Sequence, residues 1–116
     1  MILRAMILSL ALSSPSQGQD MVQGGTVILR GLDRIAGETS ELRIDAGQQI
    51  EYGRLRIELR ECRYPADNPA ADAFAFLDIV DMRGEEPLFS GWMIASSPAL
   101  NALDHVRYDV WVIGCQ

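Results

Sequence analysis

The chain has 116 residues, which is room for one domain, and its 48% content of hydrophobic residues supplies a core and excludes a disordered chain. Ten basic residues, all of them arginine, face sixteen acidic residues and give a net charge of −6 at pH 7. This balance argues against nucleic acid and anionic lipid as partners, because no basic stripe is present to bind their phosphates.

The first eighteen residues have the layout of a secretory signal peptide. Arg4 is an early positive charge, residues 5–12 are apolar apart from one serine, and small and polar residues follow. The apolar stretch is too short to span a bilayer, which takes about 20 apolar residues. We therefore expect residues 1–18 to be cleaved, residues 19–25 to be a flexible leader, and the mature chain to be periplasmic with no membrane span. The alternative is a retained N-terminal helix.

The two cysteines are expected to form a disulfide. Cys62 lies mid-chain and Cys115 one residue from the end, and paired cysteines are typical of short exported chains. Closing so long a loop contributes on the order of 4 kcal/mol in the loop-entropy model. A reactive thiol pair is the alternative, but the sequence has no CxxC motif and no neighbouring His or Lys to lower a thiol pKa.

Short stretches of alternating or β-branched residues predict about seven strands. They are separated by turns rich in Gly, Pro, Asn and Asp, and they cover residues 26–30, 40–45, 49–52, 55–60, 72–81, 88–95 and 107–115. Seven short strands at this spacing predict a single all-β domain over residues 26–116, either a β-sandwich or a small barrel.

The clearest strand places an apolar residue at every second position from Leu55 to Leu59 and charged residues between them. Continued alternation would put Cys62 on the charged face, so we predict an irregularity near Glu61, either a bulge or a strand crossing, that turns the cysteine inward. Residues 72–81 are nearly all apolar, which predicts a strand covered on both faces, and apolar residues on both sides of 107–115 predict a central strand. Trp111, in phase with Ile113, is expected in the core.

A short helix is predicted over residues 97–104. Ser97 is a favourable N-cap, Pro98 suits the first helical position, and Leu100 and Leu103 would share one face.

No catalytic residue, cofactor or metal ion is predicted. His105 is the only histidine, no GxSxG motif accompanies it, and it is expected to bind the carbonyls at the end of the short helix. A calcium site is a weaker alternative, based on a mid-chain cluster of carboxylates without a calcium-loop pattern. Its members are Asp67, Asp72, Asp78, Asp81, Glu85 and Glu86.

Turn, amide, imidazole and aromatic groups crowd into residues 90–108, and this density marks a candidate binding surface. Its members are Trp92, Ser96, Ser97, Asn101, His105 and Tyr108. We therefore expect a periplasmic binding or scaffolding domain for a protein or envelope partner. One alternative is a small hydrolase or sugar-active enzyme that uses a carboxylate with His105, and another is a purely structural envelope protein.

Three segments carry a resemblance to a known family: TVILRGLD, GRLRIELREC and the tail LFSGWMIASSPALNALDHVRYDVWVIGC. Together they resemble the exported alphaproteobacterial proteins known as domain of unknown function 2155, with a short middle loop, YPADNPAAD, as the departure. The resemblance implies export, a single domain and paired cysteines, and it supplies no catalytic residues. Genes of that family neighbour one that resembles an accessory subunit of respiratory complex I, which implies a role in envelope or respiratory-complex assembly.

Overall fold

The computed structural model describes residues 20–116 and, before them, only Ala5 and Ser9, so the predicted signal peptide lies outside the described residues. The described chain is all-β, as predicted. The strands are β1 (Met21–Gly24), β2 (Thr26–Asp33), β3 (Glu38–Asp45), β4 (Gln49–Tyr52), β5 (Leu55–Pro65), β6 (Phe74–Asp81), β7 (Glu86–Ile94) and β8 (Tyr108–Cys115). The strand beyond the seven predicted is β1, which forms where we expected a flexible leader and pairs with the end of β5.

The strands form two antiparallel sheets. In the five-stranded sheet, β1 and β4 pair with successive parts of β5 on one side, and β6 and β7 follow on the other. The three-stranded sheet has the order β3-β2-β8. One hydrophobic core includes residues from both sheets, so the architecture is a β-sandwich.

The core follows the alternation seen in the sequence. Leu55, Ile57 and Leu59 of β5 are fully buried, and across the sandwich they face the buried residues of β2 and β8, such as Leu29 and Val110. Each such side chain contributes about 1.5–3 kcal/mol when it is removed from water. The charged residues between them point to the opposite, solvent face of the sheet.

The predicted irregularity in β5 is confirmed. The register with β6 shifts between Leu59 and Glu61, so Arg60 has no partner and the alternation changes phase, which turns Cys62 inward. As a result Cys62 is fully buried and forms the predicted disulfide with Cys115 on β8. The bond joins the two sheets across the core, and Gly24 packs against both sulfur atoms so closely that a Cβ there would overlap Cys115 Sγ.

The predicted helix over residues 97–104 is wrong. The segment forms turns, and its one backbone bond of helical type runs from the N–H of Leu100 to Ser97 O. Leu103 inserts into the core while Leu100 stays 74% exposed, so the two leucines do not share a buried face and cannot stabilise a helix there. Among the described residues, no helix is long and apolar enough to cross a membrane.

Two predictions about strand environment are wrong: β6 is fully buried on one face only, and β8 is an edge strand instead of a central one. In β6, the inward residues such as Leu77 are buried, but Phe74 and Phe76 on the other face are half-buried at the outer surface. In β8, pairing to β2 leaves the other edge of the strand unpaired, and Trp111 lies half-exposed on its outer face instead of in the core. Both corrections concern apolar residues that face outward.

Candidate binding surfaces

The motifs that carry the sequence resemblance converge at one end of the sandwich. Tyr108, which begins the YDVW motif, is 2% exposed, and its hydroxyl accepts a hydrogen bond from the N–H of Arg54 in the GRL motif at 3.3 Å. Gly53, with φ of 56°, lies so close to the Tyr108 ring that a Cβ there would overlap the hydroxyl. Both glycine properties, a left-handed backbone and the lack of a Cβ, are required at this position.

The RGLD motif ends in an ion pair at the same end. Arg107 donates two hydrogen bonds to the Asp33 carboxylate, at 3.1 and 2.9 Å. These bonds, with the backbone N–H groups of Ala36 and Ile35, lower the pKa of Asp33 from 3.8 to about 2. The pair ties the β2–β3 turn to the start of β8.

His105 is built into this cluster. Its Nδ1 accepts hydrogen bonds from the N–H groups of Arg107 and Tyr108, at 3.0 and 3.2 Å, and its Nε2 lies 3.4 Å from Asp81 Oδ2. Two donors at Nδ1 place the proton of the neutral ring on Nε2. The expected bonds to helix carbonyls are therefore wrong, because no helix forms and the ring binds backbone amides instead. With both nitrogens engaged and the side chain 7% exposed, the ring offers no atom to a substrate.

The mid-chain carboxylates are held separately and do not converge. Asp78 is bonded by Ser90 and Arg60, and the hydroxyl of Ser90 in particular lowers the pKa of Asp78. Glu85 pairs with Arg56, and this guanidinium lowers the pKa of Glu85. Within residues 20–116, no three His, Cys, Asp or Glu side chains are grouped as metal ligands would be.

The six residues of the predicted surface divide between surface and interior. Trp92 is half-buried on the outer face of β7, and Ser96, Ser97 and Asn101 are exposed on the turns that follow. The hydroxyl of Ser96 bonds to Asp72 at 2.7 Å. His105 and Tyr108 lie largely inside, as described above, so they have little surface to present to a partner.

Three of these residues satisfy backbone groups at sheet edges. The N–H of Ala95 donates a hydrogen bond to the chain just before β6. Hydrogen-bonded and non-bonded residue pairs alternate along an antiparallel ladder. The backbone N–H and C=O groups of Ile94 and Trp92 therefore point away from β6, toward the free edge of β7. There the N–H of Ser97 donates to Ile94 O at 3.1 Å, and the side-chain amide of Asn101 donates to Trp92 O at 2.7 Å. His105 accepts the outward N–H at the start of β8 in the same way. Capped edges of this kind prevent pairing with other chains.

The solvent side of the five-stranded sheet carries a patch that we call the aromatic face. It consists of Met21, Arg63, Phe74, Phe76 and Trp92. The Phe76 and Trp92 rings meet edge to face with centroids 5.5 Å apart, and the Arg63 guanidinium lies 5.4 Å from the Trp92 ring. The other four residues, without Phe76, line a groove of about 210 Å³.

A second concavity, which we call the edge groove, lies between β8 and the turns that follow β7. It has a volume of about 400 Å³. Its lining is apolar apart from one carboxylate and consists of Pro98, Ala99, Ala102, Asp109, Val110 and Trp111. Asp109 is also 3.5 Å from Arg34.

The fold and its motifs define a small two-sheet antiparallel domain closed by one disulfide across its core. The family described as "Uncharacterized protein conserved in bacteria (DUF2155)" matches residues 27–115, and the chain belongs to this family, as the resemblance predicted. An uncharacterized protein of Rickettsia prowazekii (strain Madrid E), RP359, is 29% identical over 87 residues, which are 72% of this chain and 56% of that protein. The chain thus spans little more than half of that relative's length. No solved structure matches the chain.

Sequence reasoning missed most residues of both concavities. Met21 lies in the stretch expected to be a flexible leader, and nothing in the sequence distinguishes Arg63 from the other strand arginines. The sequence predicts that Phe74 and Trp111 are buried, because apolar residues occupy both sides of their strands. The signal that could have identified them is that these strands carry apolar residues on both faces. A second apolar face can be an exposed binding surface as well as a buried one.

Proposed function

We propose that this chain is an exported, periplasmic binding or scaffolding domain that holds a protein partner on the aromatic face. The composition of that face carries the proposal. Its five residues are all Trp, Phe, Met or Arg, the types enriched in the cores of protein interfaces, and Trp and Arg are frequent hot spots.

The aromatic face is also ordered before any partner arrives. Trp92 is held by the edge of Phe76 on one side and by the guanidinium of Arg63 on another. Arg63 in turn pairs with Glu61 at 3.1 Å. Side chains that are already fixed lose less conformational entropy on binding, which favours affinity.

The outer side of the other sheet is mixed. It carries the charged groups of Arg30, Glu41 and Arg43 together with half-exposed Trp111 and Ile113, which is 44% exposed. The proposal therefore depends on the packed Phe76–Trp92–Arg63 group and not on a difference in charge between the two faces.

Groups that could perform chemistry are engaged within the domain. Both nitrogens of His105 face protein groups, and Asp81 accepts hydrogen bonds from the N–H of Arg83 and from Arg54. The Arg83 bond in particular lowers the pKa of Asp81. This geometry supports binding over the hydrolytic alternative, which needs a histidine with a free nitrogen.

The proposal is tested by affinity capture from periplasmic extract of the native host, with the bound proteins quantified by mass spectrometry. Trp92→Ser removes the centre of the aromatic face, and we expect it to reduce the specific partner by at least about tenfold, the loss typical of a hot spot. Leu100→Ser is the matched control, because Leu100 is 74% exposed and lies outside the face. Unfolding curves of both variants show that the domain remains folded.

Equal recovery of every bound protein by wild type and the folded Trp92→Ser variant would exclude the aromatic face as the binding site. Loss of the partner in the Leu100→Ser variant as well would show that the effect is not specific to that face.

A further inference from the structure

We propose that the free edge of β3 binds the same strand of a second copy of this chain, antiparallel and about a two-fold axis at Leu42. Such a contact is self-complementary and joins the two three-stranded sheets into one continuous sheet. The inference is independent of the aromatic face, which lies on the other sheet.

The strand edges of the domain differ in how far they are covered. The edge of β7 is capped at Trp92 and Ile94, and the edge of β8 is buried, since Val110 and Val112 are 1% and 2% exposed. The free edge of the five-stranded sheet is divided between β1 and β4, which have only four residues each. Within residues 20–116, the eight-residue strand β3 therefore offers the longest uncovered edge.

The register with β2 determines which backbone groups of β3 face this edge. The N–H of Ala46 donates to Gly25 O at 2.8 Å, and bonded pairs alternate along the β2–β3 ladder from that pair. Thr39, Glu41 and Arg43 therefore direct their N–H and C=O groups to the free edge. All three residues are exposed, and among residues 20–116 no hydrogen bond reaches these groups.

The side-chain charges on this edge fit one antiparallel register. In a pair centred on Leu42, Glu41 of each copy lies directly opposite Arg43 of the other, on the outer side of the sheet. Opposite charges in facing positions stabilise paired strands, and like charges destabilise them. The two neighbouring registers that use the same backbone groups are centred on Glu41 or on Arg43. Each sets a residue against its own like charge, so charge selects the register centred on Leu42.

Both charged groups are available for this pairing. Glu41 lies opposite Arg30 on β2, but within residues 20–116 neither Glu41 nor Arg43 forms an ion pair. Charged side chains usually protect a strand edge from pairing. Here the two opposite charges stand two residues apart, so a second copy of the strand complements them.

Leu42 supplies an apolar contact at the axis. Its side chain lies on the inner side of the sheet, packs against the core and is only partly buried. In the proposed register it faces Leu42 of the second copy in a non-hydrogen-bonded pair, where facing side chains approach most closely. The second copy thus covers apolar surface that the single domain leaves exposed.

Sedimentation equilibrium of the purified, oxidised chain measures the association. The net charge of −6 on each copy opposes association at long range, so the measurement is made in about 0.15 M salt, where this repulsion is screened beyond about 8 Å. We expect a reversible dimer.

Charge reversal tests the register. Glu41→Arg sets two arginines opposite each other and Arg43→Glu sets two glutamates, so each change should weaken dimerisation by at least about tenfold. An equimolar mixture of the two variants should form a mixed dimer with wild-type affinity, because every facing pair is again opposite in charge. The matched control is Glu86→Arg, which changes the net charge equally at an exposed position on β7 and should dimerise like the wild type. Unfolding curves show that each variant is folded.

Hydrogen exchange followed by NMR locates the contact on the strand. Dimerisation should slow exchange at the amides of Glu41 and Arg43, while those of Leu42 and Ile44, already bonded to β2, should change little. Trp92→Ser should dimerise normally, which separates this edge from the aromatic face. A photo-crosslink from β3 would join two copies of the chain, and its mass distinguishes it from a crosslink to a partner protein.

Three results would each overturn the proposal. They are a monomer at every concentration up to about 1 mM, unchanged dimerisation of the folded Glu41→Arg and Arg43→Glu variants, and no mixed dimer when these two variants are combined.

Discussion

At the residue scale, Asp33, His105 and Arg107 hold turns and strand ends together. Arg107 illustrates this, since it pairs with Asp33 through its side chain and donates its N–H to His105. The carboxylate, the guanidinium and the imidazole each have a partner within the domain. Asp33 of the RGLD motif and Tyr108 of the YDVW motif both take part in these contacts.

Asp33 is expected to make stability depend on pH in the acid range. Its pKa is lowered from 3.8 to about 2 in the folded chain, chiefly by the bonds from Arg107, so the unfolded chain binds more protons between these values. The stabilisation is complete above about pH 4 and is lost as pH falls through about 2. Urea unfolding across this range should show a shallower pH dependence for Asp33→Asn than for wild type. Identical slopes would show that the ion pair does not stabilise the fold.

Gly53→Ala is expected to destabilise the domain by about 3 kcal/mol, because it adds a clash with Tyr108 to the cost of a left-handed backbone. The matched control is Gly47→Ala, where φ is 80° but nothing lies within 4 Å of the added Cβ. It should lose only about 1 kcal/mol. Equal losses in chemical denaturation would contradict the close approach of Tyr108.

At the element scale, the fold depends on which faces and edges of the strands are covered, and only part of this can be read from sequence. The alternation of β5 predicted its buried face, and the phase of Cys62 predicted an irregularity near Glu61, since both are local properties. The apolar residues on both sides of β6 and β8 could not be interpreted correctly, because sequence does not say whether an apolar face meets the core or solvent. The helix prediction failed because the signals at Ser97 and Pro98 are ambiguous. Both residue types favour turns as well as the first positions of helices.

Asn101 is expected to stabilise the β7 edge through its side chain, and Ser97 only through its backbone. Asn101→Ala removes the donor to Trp92 O and should reduce the free energy of unfolding by about 1 kcal/mol. Ser97→Ala keeps the N–H that bonds to Ile94 O, so its effect should stay within about 0.5 kcal/mol. If the serine variant lost as much stability as the asparagine variant, the edge-capping account would be wrong.

At the scale of the whole molecule, one covalent bond joins β5 to β8 and thereby holds the two sheets together. The pairing itself was predicted from the presence of two cysteines in a short chain with a predicted export signal. The surfaces that the assembled sheets present could not be predicted in the same way, because the aromatic face brings Met21 beside Arg63 and Trp92, which are far apart in sequence. A candidate site chosen from residues close together in sequence therefore included Trp92 but not Met21, Arg63 or Phe74, which lie beside it in the fold.

Replacing both cysteines by alanine is expected to lower the free energy of unfolding by about 4 kcal/mol, the entropy contribution of a loop of this length. Urea unfolding of the oxidised wild type and the double variant measures the difference. An unchanged midpoint would show that the bond is dispensable for the fold.

The most direct test of the proposed partner surface is photo-crosslinking in the living native host. A photoreactive phenylalanine analogue is introduced singly at Phe74 or Trp92 on the aromatic face, and at Thr39 or Arg43 on the exposed side of β3. We predict that the first two positions form an adduct with the same partner protein and that the β3 positions do not. Adducts of equal yield from β3, with none from the aromatic face, would contradict the account.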